Sequence, residues 1–125
     1  MKKNIIISIG LLLSGFSYSQ VGINTANPQG IFNIDGGKDN PTTGSAHTQA
    51  QQLNDFTVLA NGNTGIGTIV PDKKLHIETG GTSASPVTGF KLVDGNQGAG
   101  RVMMSDANGV GTWKINSMHI INGVK

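Results

Sequence analysis

The chain has 125 residues, with nine Lys and Arg, seven Asp and Glu, 19 glycines and no cysteine. The absence of cysteine excludes disulfides, thiol chemistry and lipid attachment through a cysteine, and the charges are scattered singly, Lys73-Lys74 being the densest basic spot. Nucleic-acid binding needs a basic patch or stripe, and none is visible; glycine is about twice as frequent as usual and aromatics are few, which leaves thin material for a core within one chain.

Residues 1–19 read as a secretory signal peptide. Lys2 and Lys3 form the positive start, Ile5 to Leu13 the apolar segment, and Ser17-Tyr18-Ser19 a small-x-small site, so cleavage is expected before Gln20. The apolar run is far shorter than the roughly 20 residues of a spanning helix, so no membrane span is expected. Loss of Lys2 and Lys3 leaves seven basic against seven acidic residues, a mature chain without net charge.

From Val21 onward a fifteen-residue phrase occurs twice, 43 positions apart. Val21-Gly22-Ile23-Asn24-Thr25-Ala26-Asn27-Pro28 and the residues through Asp35 return as Thr64-Gly65-Ile66-Gly67-Thr68-Ile69-Val70-Pro71 and the residues through Glu78. Such a period predicts an array of supersecondary units. The expected organisation is a leader over 1–19, a first β repeat over 20–62, a second over 63–111, and a C-terminal strand or tail over 112–125. Each copy starts with a Gly/Asn/Pro turn and ends in a strand of period two. Phe32 and Ile34 alternate with Asn33 and Asp35; Leu75 and Ile77 alternate with Lys74, His76 and Glu78. The apolar residues are expected to face inward and the polar ones outward.

Gly36-Gly37 and Gly80-Gly81 then break the strands. Ser45 to Leu53 has some helical propensity but no apolar stripe, and reads as a loop or one loose helical turn. Here the copies diverge: the polar stretch of the first leads to Phe56-Thr57-Val58-Leu59-Ala60, while the second goes directly to Phe90-Lys91-Leu92-Val93. The two copies close on Ala60-Asn61-Gly62 and Ala107-Asn108-Gly109, a signal for tight hairpin turns. In the tail, Trp113 and Ile115 stand at strand spacing, followed by Met118, Ile120 and Ile121.

His47, His76 and His119 lie far apart without metal-ligand spacing and read as solvated side chains. Asp35 and Glu78 occupy equivalent repeat positions and read as solubilising charges at strand ends. Asp94-Gly95-Asn96 and Asp106-Ala107-Asn108-Gly109 begin like calcium loops but complete neither the ligand spacing nor the closing Glu, so they read as turns. Gly65-Ile66-Gly67 and Gly98-Ala99-Gly100 lack the third glycine and the following helix of a dinucleotide loop. No nucleophile–base pair can be named. The expectation is a protein without catalytic residues, metal or cofactor.

Thr64-Gly65-Ile66-Gly67-Thr68-x-x-Pro71-x-x-Lys74-Leu75-His76-Ile77 resembles the VGIGT-x-x-P-x-x-KLH-[IV] repeat of bacterial secreted surface proteins and tail-fibre-like proteins. Gly98 to Met103 with Ser105 to Trp113 is similar to a second element of that family, G-x-G-[KR]-V-L-x-S-D-A-N-G-x-x-x-W. The first copy departs from the pattern, with Asn24 in place of Gly and Gly30-Ile31 in place of Lys-Lys. The resemblance implies an all-β, elongated repeat array of short strands and Gly/Asn turns, stalk-like and often trimeric. It usually includes a larger C-terminal head or chaperone domain; here twelve residues follow Trp113. On this reading the protein is a non-enzymatic, secreted stalk or adhesin-like surface fibre module. It forms a homotrimer, with Phe32, Ile34, Leu75 and Ile77 in an interchain core and a cell-surface or glycan partner. The alternative is a small monomeric β-sandwich that binds glycan through Trp113 and neighbouring Asn and Gln side chains.

Overall fold

A computed structural model of the chain describes residues 20–44 and 47–116. The expected leader, the start of the polar segment at Ser45-Ala46, and the apolar tail with Met118, His119, Ile120 and Ile121 lie outside the described residues. The described chain is all-β apart from one short helix. Its elements are β1 (Val21–Ile23), β2 (Phe32–Asp35), α1 (Gln49–Gln52), β3 (Asp55–Val58), β4 (Thr64–Ile66), β5 (Leu75–Ile77), β6 (Arg101–Ser105) and β7 (Gly111–Ile115). The chain divides after Gly89 into two compact units.

The first unit holds a five-stranded sheet in the order β1-β2-β3-β4-β5. The sequence repeat is a structural repeat here. β1 pairs with β2 in parallel, Val21 opposite Phe32, and β4 pairs with β5 in parallel, Thr64 opposite Leu75. Both members of that register move by the same 43 positions. β3 lies between the two pairs and runs antiparallel to β2 and β4.

Each parallel pair needs a crossover, and the phrase supplies a short one of eight residues, 24–31 and 67–74. Thr25 and Thr68 turn it by the same bond, each hydroxyl accepting a backbone N–H two residues on, from Asn27 and Val70. The crossover packs on the glycine side of the first strand. A Cβ on Gly65 would stand 2.2 Å from the Thr68 carbonyl oxygen, so only glycine permits this approach. The turn out of β4 places Gly67 at φ +79°, and its counterpart Asn24 holds φ +60°. The departure of the first copy from the repeat therefore preserves the backbone, because Asn tolerates the left-handed region better than most residues.

The polar segment forms α1, a single turn. Thr48 caps it in a capping box with Gln51, and none of its residues is buried. β3 and β4 are joined through residues 59–63, where Leu59 N–H donates to the Asn63 carbonyl and Gly62 N–H to that of Leu59.

The second unit is a two-stranded antiparallel sheet, β6 with β7, Met103 opposite Trp113. Phe90 to Val93 is not a strand. Asp94 and Asp106 sit at turns, each accepting the backbone N–H two residues ahead, from Asn96 and Asn108.

Candidate functional site

The register brings ten side chains onto one face of the five-stranded sheet in two rows. One row is Val21, Phe32, Val58, Thr64 and Leu75; the other is Ile23, Ile34, Phe56, Ile66 and Ile77. Nine of the ten are apolar, and the phenyl rings of Phe32 and Phe56 meet edge to face at 6.1 Å. Within the first unit no other described element covers this face. Val21, Ile23, Ile66 and Leu75 are exposed, Leu75 at 57%, and Phe32, Ile34, Phe56, Val58 and Ile77 are half-buried. Among the described residues no apolar side chain is fully buried.

The opposite face is the covered one, and its residues are polar. Asn33 and Thr57 lie opposite each other at 0% exposure, with Asp35 and Asp55 next at 1% and 2%. This reverses the inside and outside expected within one chain. Asn33 and Asp35 are buried, not solvent-facing, and Asp35 is not a solubilising charge. The cause is local. The crossover loops fold onto the face that carries Gly22 and Gly65, so the residues alternating with the apolar set are the ones enclosed. Asn33 satisfies the loop, its carbonyl oxygen accepting from Gln29 N–H and its amide donating to the Phe56 carbonyl.

Asp35 and Asp55 organise the glycine-rich loop after β2. Asp35 accepts the backbone N–H groups of Asp39 and Asn40, and the Asn40 side-chain amide donates to Asp55 Oδ2 at 2.7 Å. Asn54 accepts from Gly37 N–H, and the Gln51 amide donates to the Asp39 carbonyl. Burial pushes the Asp55 carboxyl above the usual range; the Asn40 bond opposes this and the nearby Asp35 charge adds to it. Asp55 Oδ1 and both ring nitrogens of His47 have no hydrogen-bond partner, and His47 is only 8% exposed, not solvated as its sequence position suggests. No group of three His, Asp or Glu side chains among the described residues is placed to hold a metal ion. His76 lies 3.2 Å from Asp72, whose carboxyl the Lys73 ammonium holds below the usual range.

In the second unit Trp113 is half-buried on β7. Its indole N–H donates to the Leu92 carbonyl and its backbone N–H to Asp94 Oδ2, which also accepts from the Thr112 hydroxyl. These bonds, the Thr112 hydroxyl foremost, hold the Asp94 carboxyl below the usual range. Asn96 donates to Thr112 Oγ1 and Gln97 accepts from Gly95 N–H. The polar edge of Trp113 and its Asn and Gln neighbours are thus engaged by the unit's own loop.

The four residues that the repeat places in an interchain core, Phe32, Ile34, Leu75 and Ile77, all stand on the uncovered face, on β2 and β5. Alternation in the repeat could identify them. It could not identify Val21, Ile23, Phe56, Val58 and Ile66 as their neighbours, because that depends on strand order. No helix among the described residues is long and apolar enough to cross a membrane. Comparisons with protein-family models, with curated proteins and with solved structures found no match to this chain.

Proposed function

We propose that this chain is a non-enzymatic structural and interaction protein, an exported stalk or surface-fibre module assembled from copies of itself through the apolar face of its five-stranded sheet. The observation that carries the reading is the uncovered grid of nine apolar side chains, formed while the same sheet buries Asn33, Thr57, Asp35 and Asp55 on its other side. A sheet with one solvated face ordinarily turns polar residues to water. An apolar face of this extent marks an interaction site.

The dimensions fit the three-sided assembly that the repeat resemblance implies. Strands of three to four residues span roughly 10–13 Å, and five of them extend about 19 Å between first and last. Each strand therefore presents two side chains, and the face is a strip two side chains wide. Three such strips form the walls of a prism in which each strand level closes around the axis, consistent with the homotrimer that the repeat resemblance implies. Export rests on the leader-like residues 1–19, and a cell-surface partner rests on the resemblance alone.

Light scattering after gel filtration of residues 20–125 tests the reading. A mass of three chains with β-type circular dichroism is expected. A folded monomer at micromolar concentration would overturn it.

A further inference from the structure

Both copies close on the same three residues, Ala60-Asn61-Gly62 and Ala107-Asn108-Gly109, and the structure places them in the same turn. In β3–β4 the loop 59–63 is closed by Leu59 N–H to the Asn63 carbonyl and Gly62 N–H to the Leu59 carbonyl. In β6–β7 the loop 106–110 is closed by Asp106 N–H to the Val110 carbonyl and Gly109 N–H to the Asp106 carbonyl. Gly62 and Gly109 hold φ +78° and +83°, the left-handed position that ends a three-residue hairpin loop. Asn61 and Asn108 are thus equivalent, as are Leu59 and Asp106, and Asn63 and Val110.

The equivalence fails at one bond. In each loop a side-chain oxygen caps the backbone N–H of the last residue. Leu59 has no side-chain acceptor, and Asn61 Oδ1 takes Asn63 N–H at 2.9 Å. In the second loop Asp106 stands where leucine stood. Its Oδ1 takes both Asn108 N–H and Val110 N–H, each at 2.8 Å. That leaves the Asn108 amide without a hydrogen bond among the described residues. The surroundings differ in the same sense. Lys74 Nζ donates to the Asn61 carbonyl at 2.7 Å and would stand 3.5 Å from a Cβ on Gly62, whereas a Cβ on Gly109 would meet nothing within 4 Å. Asn61 also lies between two strands of a five-stranded sheet, and Asn108 in a two-stranded one, a form marginal in water by itself.

We propose that Asn108-Gly109 is a self-modification site, at which the backbone nitrogen of Gly109 converts the Asn108 amide to a carboxylate with water as co-reactant, while Asn61-Gly62 is held unreactive. Gly109 N–H gives its proton to hydroxide, and the nitrogen attacks Asn108 Cγ. A new C–N bond closes a five-membered imide ring. The Cγ–Nδ2 bond breaks, and Nδ2 takes a proton from water and leaves as ammonia, which restores the hydroxide. Water then adds to one of the two ring carbonyls. Opening on one side leaves aspartate at position 108; opening on the other leaves isoaspartate, whose main chain is longer by one methylene. Glycine after asparagine favours the attack because no Cβ obstructs the nitrogen. The Asn108 amide is free to turn towards Gly109 N once the 3.2 Å bond from Gly109 N–H to Asp106 opens. Asn61 must in addition release Asn63 N–H. Lys74 polarises the Asn61 carbonyl and so makes Gly62 N–H more acidic, but that gain acts only after the Asn61 amide has been released. The products set a second carboxylate beside Asp106, and the isoaspartyl form no longer fits the three-residue loop. The inference concerns a turn of the second unit, not the apolar face, so either can fail without the other.

The test compares the full chain folded and in denaturant, both held in mildly alkaline buffer, then cut with trypsin and resolved by liquid chromatography and mass spectrometry. Cleavage after Arg101 and Lys114 isolates Asn108 as the only asparagine of its peptide. In the folded chain Asn108 is expected to convert at least about ten times faster than Asn61, as unequal local opening requires. In denaturant the two identical Ala-Asn-Gly segments should react at similar rates. Leu59→Asp gives the first turn the acceptor of the second and should speed conversion of Asn61; Asp106→Leu should slow that of Asn108. Circular dichroism checks the fold of each variant, and Asp106→Leu, at an exposed turn, carries the comparison should Leu59→Asp unfold. Equal rates at the two sites of the folded chain, a faster Asn61, or an Asn108 that stays intact while the denatured chain reacts would each overturn the proposal.

Discussion

Asp55 carries the least comfortable charge among the described residues. It is buried, faces Asp35 across the β2–β3 pair, and has one oxygen without a partner. In the folded state its carboxyl is held above the ordinary aspartate value of 3.8, chiefly by burial. The folded state therefore binds this proton more tightly than the unfolded one, and stability falls as pH rises from about 3.8 through the folded pKa. Asp55→Asn keeps an acceptor for the Asn40 amide and removes the charge. The variant is expected to melt above the natural protein at neutral pH, with the difference shrinking as pH falls towards 3.8. A difference in Tm that stays constant between pH 3.5 and 7 would show that the charge is not its cause.

At the scale of the element, the crossover turn imposes the strictest demands. Gly67 combines a left-handed backbone with close approach to Glu78, whose carbonyl oxygen would lie 2.0 Å from an added Cβ. Gly67→Val adds a backbone cost of about 1–2 kcal/mol to that clash, and should lower Tm by 8 °C or more on the scale of about 4–8 °C per kcal/mol for a small domain. Asn24→Gly at the equivalent turn of the first copy should stay within about 1 kcal/mol of the natural chain. Thermal melts of the two variants compare them directly, and equal losses would contradict the shared turn. Sequence marked this element by its Gly, Thr and Pro spacing. Its consequence, closure over the glycine side of the sheet, required the Gly65–Thr68 approach to be seen.

Across the whole molecule the proposed assembly turns on the apolar strip. Leu75 is exposed in one chain, so Leu75→Asp would be nearly neutral in a monomer. In an interchain core it would place a charge where a leucine gains about 2 kcal/mol per chain. The expected outcome is dissociation together with loss of β-type circular dichroism; unchanged mass and fold would remove Leu75 from the interface.

The fifteen-residue phrase, occurring twice 43 positions apart, by itself determined the strand alternation and the choice of Phe32, Ile34, Leu75 and Ile77 as one set, because periodicity and turn residues are local properties. Outside the phrase, Asn61-Gly62 and Asn108-Gly109 marked the closing turns. Sequence did not reveal that the set lies on the face the described residues of the first unit leave uncovered while Asn33, Asp35, Asp55 and Thr57 are enclosed. Alternation separates two faces without saying which is inside. That choice belongs to the crossovers, which cover the side where Gly22 and Gly65 let the backbone approach. The ten-residue grid likewise arises only when β3 pairs between two parallel units, a contact distant in sequence.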